Sequence, residues 1–469
     1  MPAITAKPGV SMILSKAMAL PNDEDDHAVI RAWIEENLGA AVEQIERTER
    51  WRPAWIVRIK SADGVARRLY VRGLREGDQP RTLKREWKVN VALARADIRI
   101  PQPHGYIEEL PAIVMEAVDG RPDLGTAESD ADRVAVRHQL VEQMTRMHAL
   151  DTEQFRDIGF AVPPDSDAIS LAFFDSSYAL YRQSNCRGNA SLIFLAEWVM
   201  RNRRSYCDTP TLIACDAGQF LFEGPELTAM IDLELSMLGD PMADLAALRV
   251  RGTRELLGDL PSLFADYSRV RGAPVDLDAI RYHTITFALS TALLSSVHVK
   301  HFAADPKPEG DYFEYLTWID WSLKLAYEAL TELMGWKDLP MPCPNIDDDG
   351  DRDISILRFA IELSAGKTDE SKYLCDKVLA LTSYLQRRLA YGPEFERTYL
   401  DDCTAILGWR PATRDAAEAA LDAVVRSASP RDDERLCVYF LKDVRRRAFL
   451  LATPESKYRE GLLKPLPAI

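Results

Sequence analysis

Ile30, Trp33, Ile34 and Leu38 recur at helical spacing, and Asp23–Asp26 ahead of them supply an N-cap and an acidic first turn, so the chain opens with a helix near His27–Asn37. The period then changes to two. Val42–Thr48, Ala54–Ser61 and Val65–Gly73 alternate or run apolar, and Ser61-Ala62-Asp63-Gly64 reads as the hairpin turn between the last two. Leu83, Trp87, Val91 and Ala94 restore helical spacing until Ile100-Pro101-Gln102-Pro103 stops it. Two further strand-like runs, Gly105–Glu108 and Ala112–Ala117, flank Leu110-Pro111, and Asp119-Gly120 marks a break. Five strands with one inserted helix predict a small α+β lobe.

From Ala131 onward helical patterns dominate: Val134–Leu150, Leu192–Arg203, Met242–Leu257, Leu277–Val299 and Tyr312–Met334. One strand-like island, Thr211–Ile231, interrupts them, split by Asp216-Ala217-Gly218 and Glu223-Gly224-Pro225; polar turns there are where a helical lobe would carry its site. Pro340–Asp353 reads as a linker. Asn345, Asp347, Asp349 and Gly350 imitate a calcium loop, but its twelfth position is Ile356 where a bidentate Glu is required. Beyond it, Ile354–Ala365, Lys372–Ala390, Glu394–Leu407, Arg414–Ser427 and Asp432–Ala452 predict an all-helical C-terminal domain. The division expected is therefore an N-terminal extension at 1–27, a first lobe at 28–118, a second at 119–339, a linker at 340–353 and a helical domain at 354–469.

A net charge of −15 repels phosphate backbones and anionic lipid, and no basic patch offsets it, so neither nucleic acid nor membrane is expected as a partner. The longest apolar stretch, Ile285–Val299, is broken by polar residues and is too short to span a bilayer. Seven scattered cysteines without a C-x-x-C pair suit reduced thiols, and Met1–Met18 lacks a signal-peptide core, so a cytoplasmic protein is expected.

Chemistry concentrates in Leu212–Phe222 (LIACDAGQFLF) and Met230–Ala246 (MIDLELSMLGDPMADLA). These segments resemble the aminoglycoside phosphotransferase and choline kinase group, whose loop reads H-G-D-x-x-x-x-N and whose following strand reads I-D-W-E-x-A-x-x-G-D-P-x-x-D-L-A. Ile231, Asp232, Glu234, Gly239, Asp240, Pro241, Asp244, Leu245 and Ala246 match the second motif. The resemblance runs from about residue 28 to 335. It implies a two-lobed protein kinase-like fold, with the C-terminal helical domain added to it, and ATP-dependent phosphoryl transfer with Mg²⁺. By that resemblance Asp216 is the catalytic aspartate, and Gln219, Asp232 and Glu234 are the metal ligands. Arg72 on the third strand meets the nucleotide phosphates and pairs with Glu86 of the helix. Glu116 and Val118, in Met115–Arg121, form the hinge against adenine, and Met147–Asp151 resembles the L-H-x-x-D helix end. Asp240 and Asp244 are expected to cap and brace the helix that follows.

Three departures stand out. Ala214 replaces the family's His, which removes a hydrogen bond bracing the loop; the loop is two residues shorter, so Gln219 falls where Asn is usual; and the turn Thr48–Pro53 has no glycine to bring backbone amides to phosphate. Cys215 reads as a small buried filler, and His298 and His301, lacking a third ligand, as packing residues. The acceptor is expected between the catalytic loop and the helices at 170–200 and 280–330, where Phe173, Phe174, Tyr178, Tyr181, Phe287, Phe302, Trp318 and Trp321 favour a small apolar or aromatic alcohol. The competing expectation is a subunit of the same fold without turnover, serving as a binding or scaffolding partner and forming homo- or hetero-oligomers through the C-terminal helices.

Overall fold

The computed structural model describes residues 23–48, 52–74, 80–186, 189–304, 312–336, 340–341, 352–364, 369–454, 456 and 463–466. The linker's aspartate run, most of the N-terminal extension and the tip of the Thr48–Pro53 turn lie outside them.

The first lobe contains α1 (Asp23–Leu38), β1 (Ala41–Arg47), β2 (Ala54–Lys60), β3 (Ala66–Gly73), α2 (Pro80–Arg95), β4 (Pro103–Ile107) and β5 (Ala112–Glu116). The strands form one antiparallel sheet in the order β1-β2-β3-β5-β4. The β2–β3 turn closes as its composition predicts: Gly64, at φ +84°, donates its N–H to Ser61 O at 2.8 Å. Alternation then decides which face each residue takes. Leu69 and Val71 of β3 pack with Trp55, Val57, Ile30 and Ile34 under α1, so Tyr70 and Arg72 fall on the opposite face, where Tyr70 packs with Leu83, Trp87 and Met115 against α2.

The second lobe runs through α3 (Asp130–His148), the single turn α4 (Glu153–Arg156), α5 (Ser166–Gln183), α6 (Ala190–Arg201), β6 (Thr211–Ile213), β7 (Phe220–Glu223), β8 (Glu226–Met230), β9 (Met237–Gly239), α7 (Met242–Arg251), α8 (Leu260–Arg271), α9 (Leu277–Ala304) and α10 (Tyr312–Met334). The turn α4 and the helix α8 were not among the expected helices, and α5 was expected only as part of the helices at 170–200. The strand pairing positions the site: β6 pairs with β9 and β7 with β8, so the β6–β7 and β8–β9 loops emerge side by side. Ile285–Val299 is the buried middle of α9, as expected, with Ile285, Leu289 and Leu293 fully enclosed.

The C-terminal helices are α11 (Arg352–Ser364), α12 (Asp369–Leu407), α13 (Arg414–Ser427) and α14 (Asp433–Leu451). Lys372–Ala390 and Glu394–Leu407 were expected as separate helices, yet α12 continues through Pro393. The carbonyl that proline deprives of a partner belongs to Leu389, which is exposed and can be solvated. Tyr399, Leu421, Leu436 and Phe440 share one hydrophobic core with Phe194, Trp198, Leu293 and Tyr327 of the second lobe. Fully buried Arg249 pairs with Glu332 and donates to the Lys464 carbonyl at 2.8 Å, tying the C-terminal segment to the same core. No helix among the described residues is long and apolar enough to cross a membrane.

Candidate active site

Arg72 leaves β3 on the α2 face and enters the gap between the lobes. Its Nε lies 3.2 Å from Glu86 Oε1, and its Nη2 donates to Asp232 Oδ1 at 2.6 Å and Glu234 Oε2 at 3.2 Å. Arg52, where the β1–β2 turn enters β2, also holds Glu234. Among the described residues two guanidinium groups thus face three carboxylates. Burial pushes the Glu86 carboxyl up to about 7; Arg72 opposes this, but its charge is shared with Asp232 and Glu234, which add repulsion of their own. Burial also works against the charge of Arg72, yet those three carboxylates together hold its pKa above the ordinary arginine value.

The catalytic loop, Ala214–Gln219, spans β6 to β7. Its first two amides, Ala214 and Cys215, donate to the fully buried Asp244 at 2.9 and 2.8 Å. Asp244 is bound in turn by His148 Nε2 at 3.0 Å, and His148 Nδ1 meets the Tyr267 hydroxyl at 2.7 Å. This corrects one expectation: Asp244 braces the Ala214–Gln219 loop, where it was expected to brace its own helix. Asp240 does cap: it accepts from the Met242 amide at 2.8 Å and binds His283 Nε2 at 3.1 Å. Burial opposes its charge, but His283, that amide and Arg271 outweigh it and hold the carboxyl below its usual value.

Two non-glycine residues of these adjoining loops, Cys215 at φ +71° and Asp232 at φ +61°, occupy the left-handed region, a strain the surrounding bonds must hold. Cys215 is buried, as expected, and burial raises its thiol pKa well above normal. Asp216 is gripped bidentately by Arg251 of α7, Nε to Oδ1 at 3.0 Å and Nη2 to Oδ2 at 2.8 Å, while Gln219 Nε2 donates to Oδ2 at 2.8 Å. Gly218, at φ +94°, lies so close to Leu248 and Arg251 that a Cβ would sit 2.8 and 3.0 Å from them. The Gln219 carbonyl accepts from Ile231 N at 3.0 Å, joining the two loops directly.

At the hinge, Glu116 N–H donates to Gln102 O at 2.9 Å and Ala117 N–H to Arg68 O at 3.0 Å; the Glu116 carboxylate meets His104 Nε2 at 3.0 Å. The next amide, Val118, has no partner among the described residues. Arg121 and Phe222 exchange backbone bonds of 2.9 and 3.1 Å, anchoring the interlobe strand to β7.

Behind the catalytic loop a narrow cavity is lined by Phe173, Phe174, Phe287, Ile213, Cys215 and the His283–Asp240 pair. Three of the predicted aromatic lining residues are therefore at this cavity. Tyr181 and Trp321 are buried in the helical core, Tyr178 and Trp318 pack against it, and the Phe302 side chain lies outside the described residues. His298 stacks on Tyr315 with ring centroids 4.6 Å apart.

Arg72, Glu86, Asp232 and Glu234 come together as one cluster, and Asp216 with Gln219 as an adjoining one. Arg52, Arg251, Asp244 and His148 were missed as site residues. Two of them carried a signal: His148 in the Met147–Asp151 helix end, and Asp244 in the Met230–Ala246 motif.

A small sheet lobe joined by a hinge to a helical lobe, with paired loops facing a strand-borne cation, defines a two-lobed protein kinase-like phosphotransferase fold. The sequence profile of the phosphotransferase enzyme family (APH) matches residues 47–281, half of the chain, and the protein belongs to that family. A crystal structure from Ralstonia eutropha JMP134, assigned to the aminoglycoside phosphotransferases, superposes with a TM-score of 0.51 at 16% identity, covering 66% of this chain and 99% of that one. A macrolide 2′-phosphotransferase type I gives 0.46 at 17% identity, with 61% and 96% covered. Acyl-CoA dehydrogenase family member 11 of Homo sapiens is 27% identical over 180 residues, 35% of this chain; the match spans only 22% of that protein's length.

Proposed function

We propose that this protein transfers the terminal phosphoryl group of ATP, with Mg²⁺, to the hydroxyl of a small apolar or aromatic molecule. The observation that carries the reading is the meeting of Asp216, Asp232 and the Arg72–Glu86 pair at the lobe boundary, one from each part that phosphoryl transfer requires. Asp232 and Glu234 are 28% and 24% exposed and offer hard carboxylate oxygens, with Gln219 adjacent; this donor set fits Mg²⁺, which would neutralise charge on the donor phosphates. Arg72 and Arg52 would exchange those carboxylates for phosphate oxygens, side chains replacing the glycine-rich turn that this chain lacks. The Val118 amide is free to meet adenine. Asp216, oriented by Arg251, would position the acceptor hydroxyl. The hydroxyl oxygen bonds to the γ-phosphorus, the bond to the β–γ bridging oxygen breaks, ADP leaves, and the proton passes to Asp216. The rings of Phe173, Phe174 and Phe287 support an apolar acceptor over a polycation, although the cavity they line, about 20 Å³, would have to open to admit one.

The test is incubation with Mg-ATP and a panel of phenols, sugars and amino alcohols, with phosphorylated product followed by mass spectrometry. Asp216→Asn should retain ATP binding and lose roughly a hundredfold in turnover. A wild type that binds ATP and phosphorylates nothing favours the alternative, a subunit without turnover. One observation speaks for that alternative: Asp216, Asp232 and Glu234 are each held by arginine, and Ile356, Phe359 and Leu389 of the C-terminal helices are exposed, a surface for an oligomeric or scaffolding contact.

A further inference from the structure

Arg137 projects from the middle of α3 toward the loop between α7 and α8. It lies eleven residues before His148, about 16 Å along the helix. The residue is only 8% exposed, its Nε has no hydrogen-bond partner, and its one hydrogen bond among the described residues is a long one of 3.5 Å from Nη1 to the Asp259 carbonyl. Among the described residues it forms no ion pair. Gly258, at φ +82°, makes room for it, since a Cβ there would stand 2.8 Å from Nη1.

The guanidinium borders a cleft of about 280 Å³, lined also by Arg133, Val134, Leu257 and Ser262. Two carboxylates share the lining, but both are already engaged. Asp130 is held by Arg133, with Nε at 3.1 Å, and Asp259 caps α8 by accepting from Ser262 N–H at 3.0 Å. The cation of this lining without an ion pair among the described residues is therefore Arg137, and an oxyanion in the cleft could accept its forked donors.

We infer that this cleft is a second ligand site, separate from the interlobe site, which binds the oxyanion of a small molecule through Arg137 and packs its apolar part against Val134 and Leu257. The oxyanion belongs either to a phosphate ester or to a carboxylate. Inorganic phosphate, phenyl phosphate and benzoate are titrated against the full-length wild type, Arg137→Met and Arg72→Ala, with thermal unfolding and calorimetry as readouts. The expected result is a saturable rise in Tm for wild type and for Arg72→Ala, and affinity at least tenfold weaker in Arg137→Met, whose anion-free Tm equals or exceeds that of wild type. A preference for the phosphates identifies the ligand as a phosphate ester; a preference for benzoate identifies a carboxylate. The inference is overturned if Arg137→Met responds as wild type does, if the response disappears only in Arg72→Ala, or if none of the three probes shifts the wild type. Should Arg137→Met fail to fold, Arg137→Gln, which keeps a donor without the charge, replaces it under the same criteria.

Discussion

Arg52→Ala tests whether side chains have taken over the phosphate contacts of the missing glycine turn. The substitution removes one of the two cations that hold Glu234 among the described residues, the other being Arg72 at 3.2 Å. Two unit charges at about 4 Å interact by about 4 kcal/mol at an effective dielectric near 20. Part of that returns as Arg52 no longer needs desolvating, and Glu234 is a quarter exposed. The net loss of stability should therefore be about 1–2 kcal/mol, between the values for exposed and enclosed pairs. The effect on the donor is separable. A triphosphate loses a charge-assisted contact of about 1.5–3 kcal/mol, so Mg-ATP should bind about 10- to 100-fold more weakly while adenosine changes little. Urea unfolding gives the first quantity, and calorimetric titration with Mg-ATP and adenosine the second. Equal weakening of both ligands, or unchanged ATP affinity, would remove Arg52 from the phosphate site; if the wild type binds no nucleotide, the phosphotransferase reading fails before Arg52 is at issue.

Glu86 should impose a pH dependence. Its folded pKa, about 7, lies above the ordinary 4.5, so its contribution to stability is full below pH 4.5 and is lost as pH rises through 7. The stability of wild type relative to Glu86→Gln, from urea unfolding at pH 5 and pH 8, should fall by about 2–3 kcal/mol over that interval; a flat difference would contradict the buried-carboxylate argument. Asp244→Asn puts an amide where two backbone N–H groups and His148 converge, and should cost about 3 kcal/mol with loss of any turnover. A variant of wild-type stability and activity would show that the loop does not depend on this brace.

How far the sequence exposes such a site depends on whether a residue's role is set locally. Alternation along β3 separated Leu69 and Val71 from Arg72, and helical spacing put Glu86 in a helix, but that the two pair beside Asp232 and Glu234 was implied by the resemblance to the phosphotransferase family. The motif around Asp232 was legible for the same reason. Helix α8, which was not expected, has local signals as well: Asp259 as N-cap, a proline in its first turn and Gly272 in the left-handed conformation at its end. Arg52 and Arg251 could not be read at all. Their partners lie 182 and 35 residues away, reached by long stems that no periodicity records. Ala214 shows the converse. Replacing the family's histidine with alanine removes one hydrogen bond from the loop. In three dimensions the loop's amides are bound by Asp244, and Asp244 is held by an imidazole from α3, so what the loop requires is a buried carboxylate of fixed orientation, with no demand that its support come from the loop itself. A gap in a motif is therefore an argument for lost function only after the buried groups around it have been shown to lack their partners.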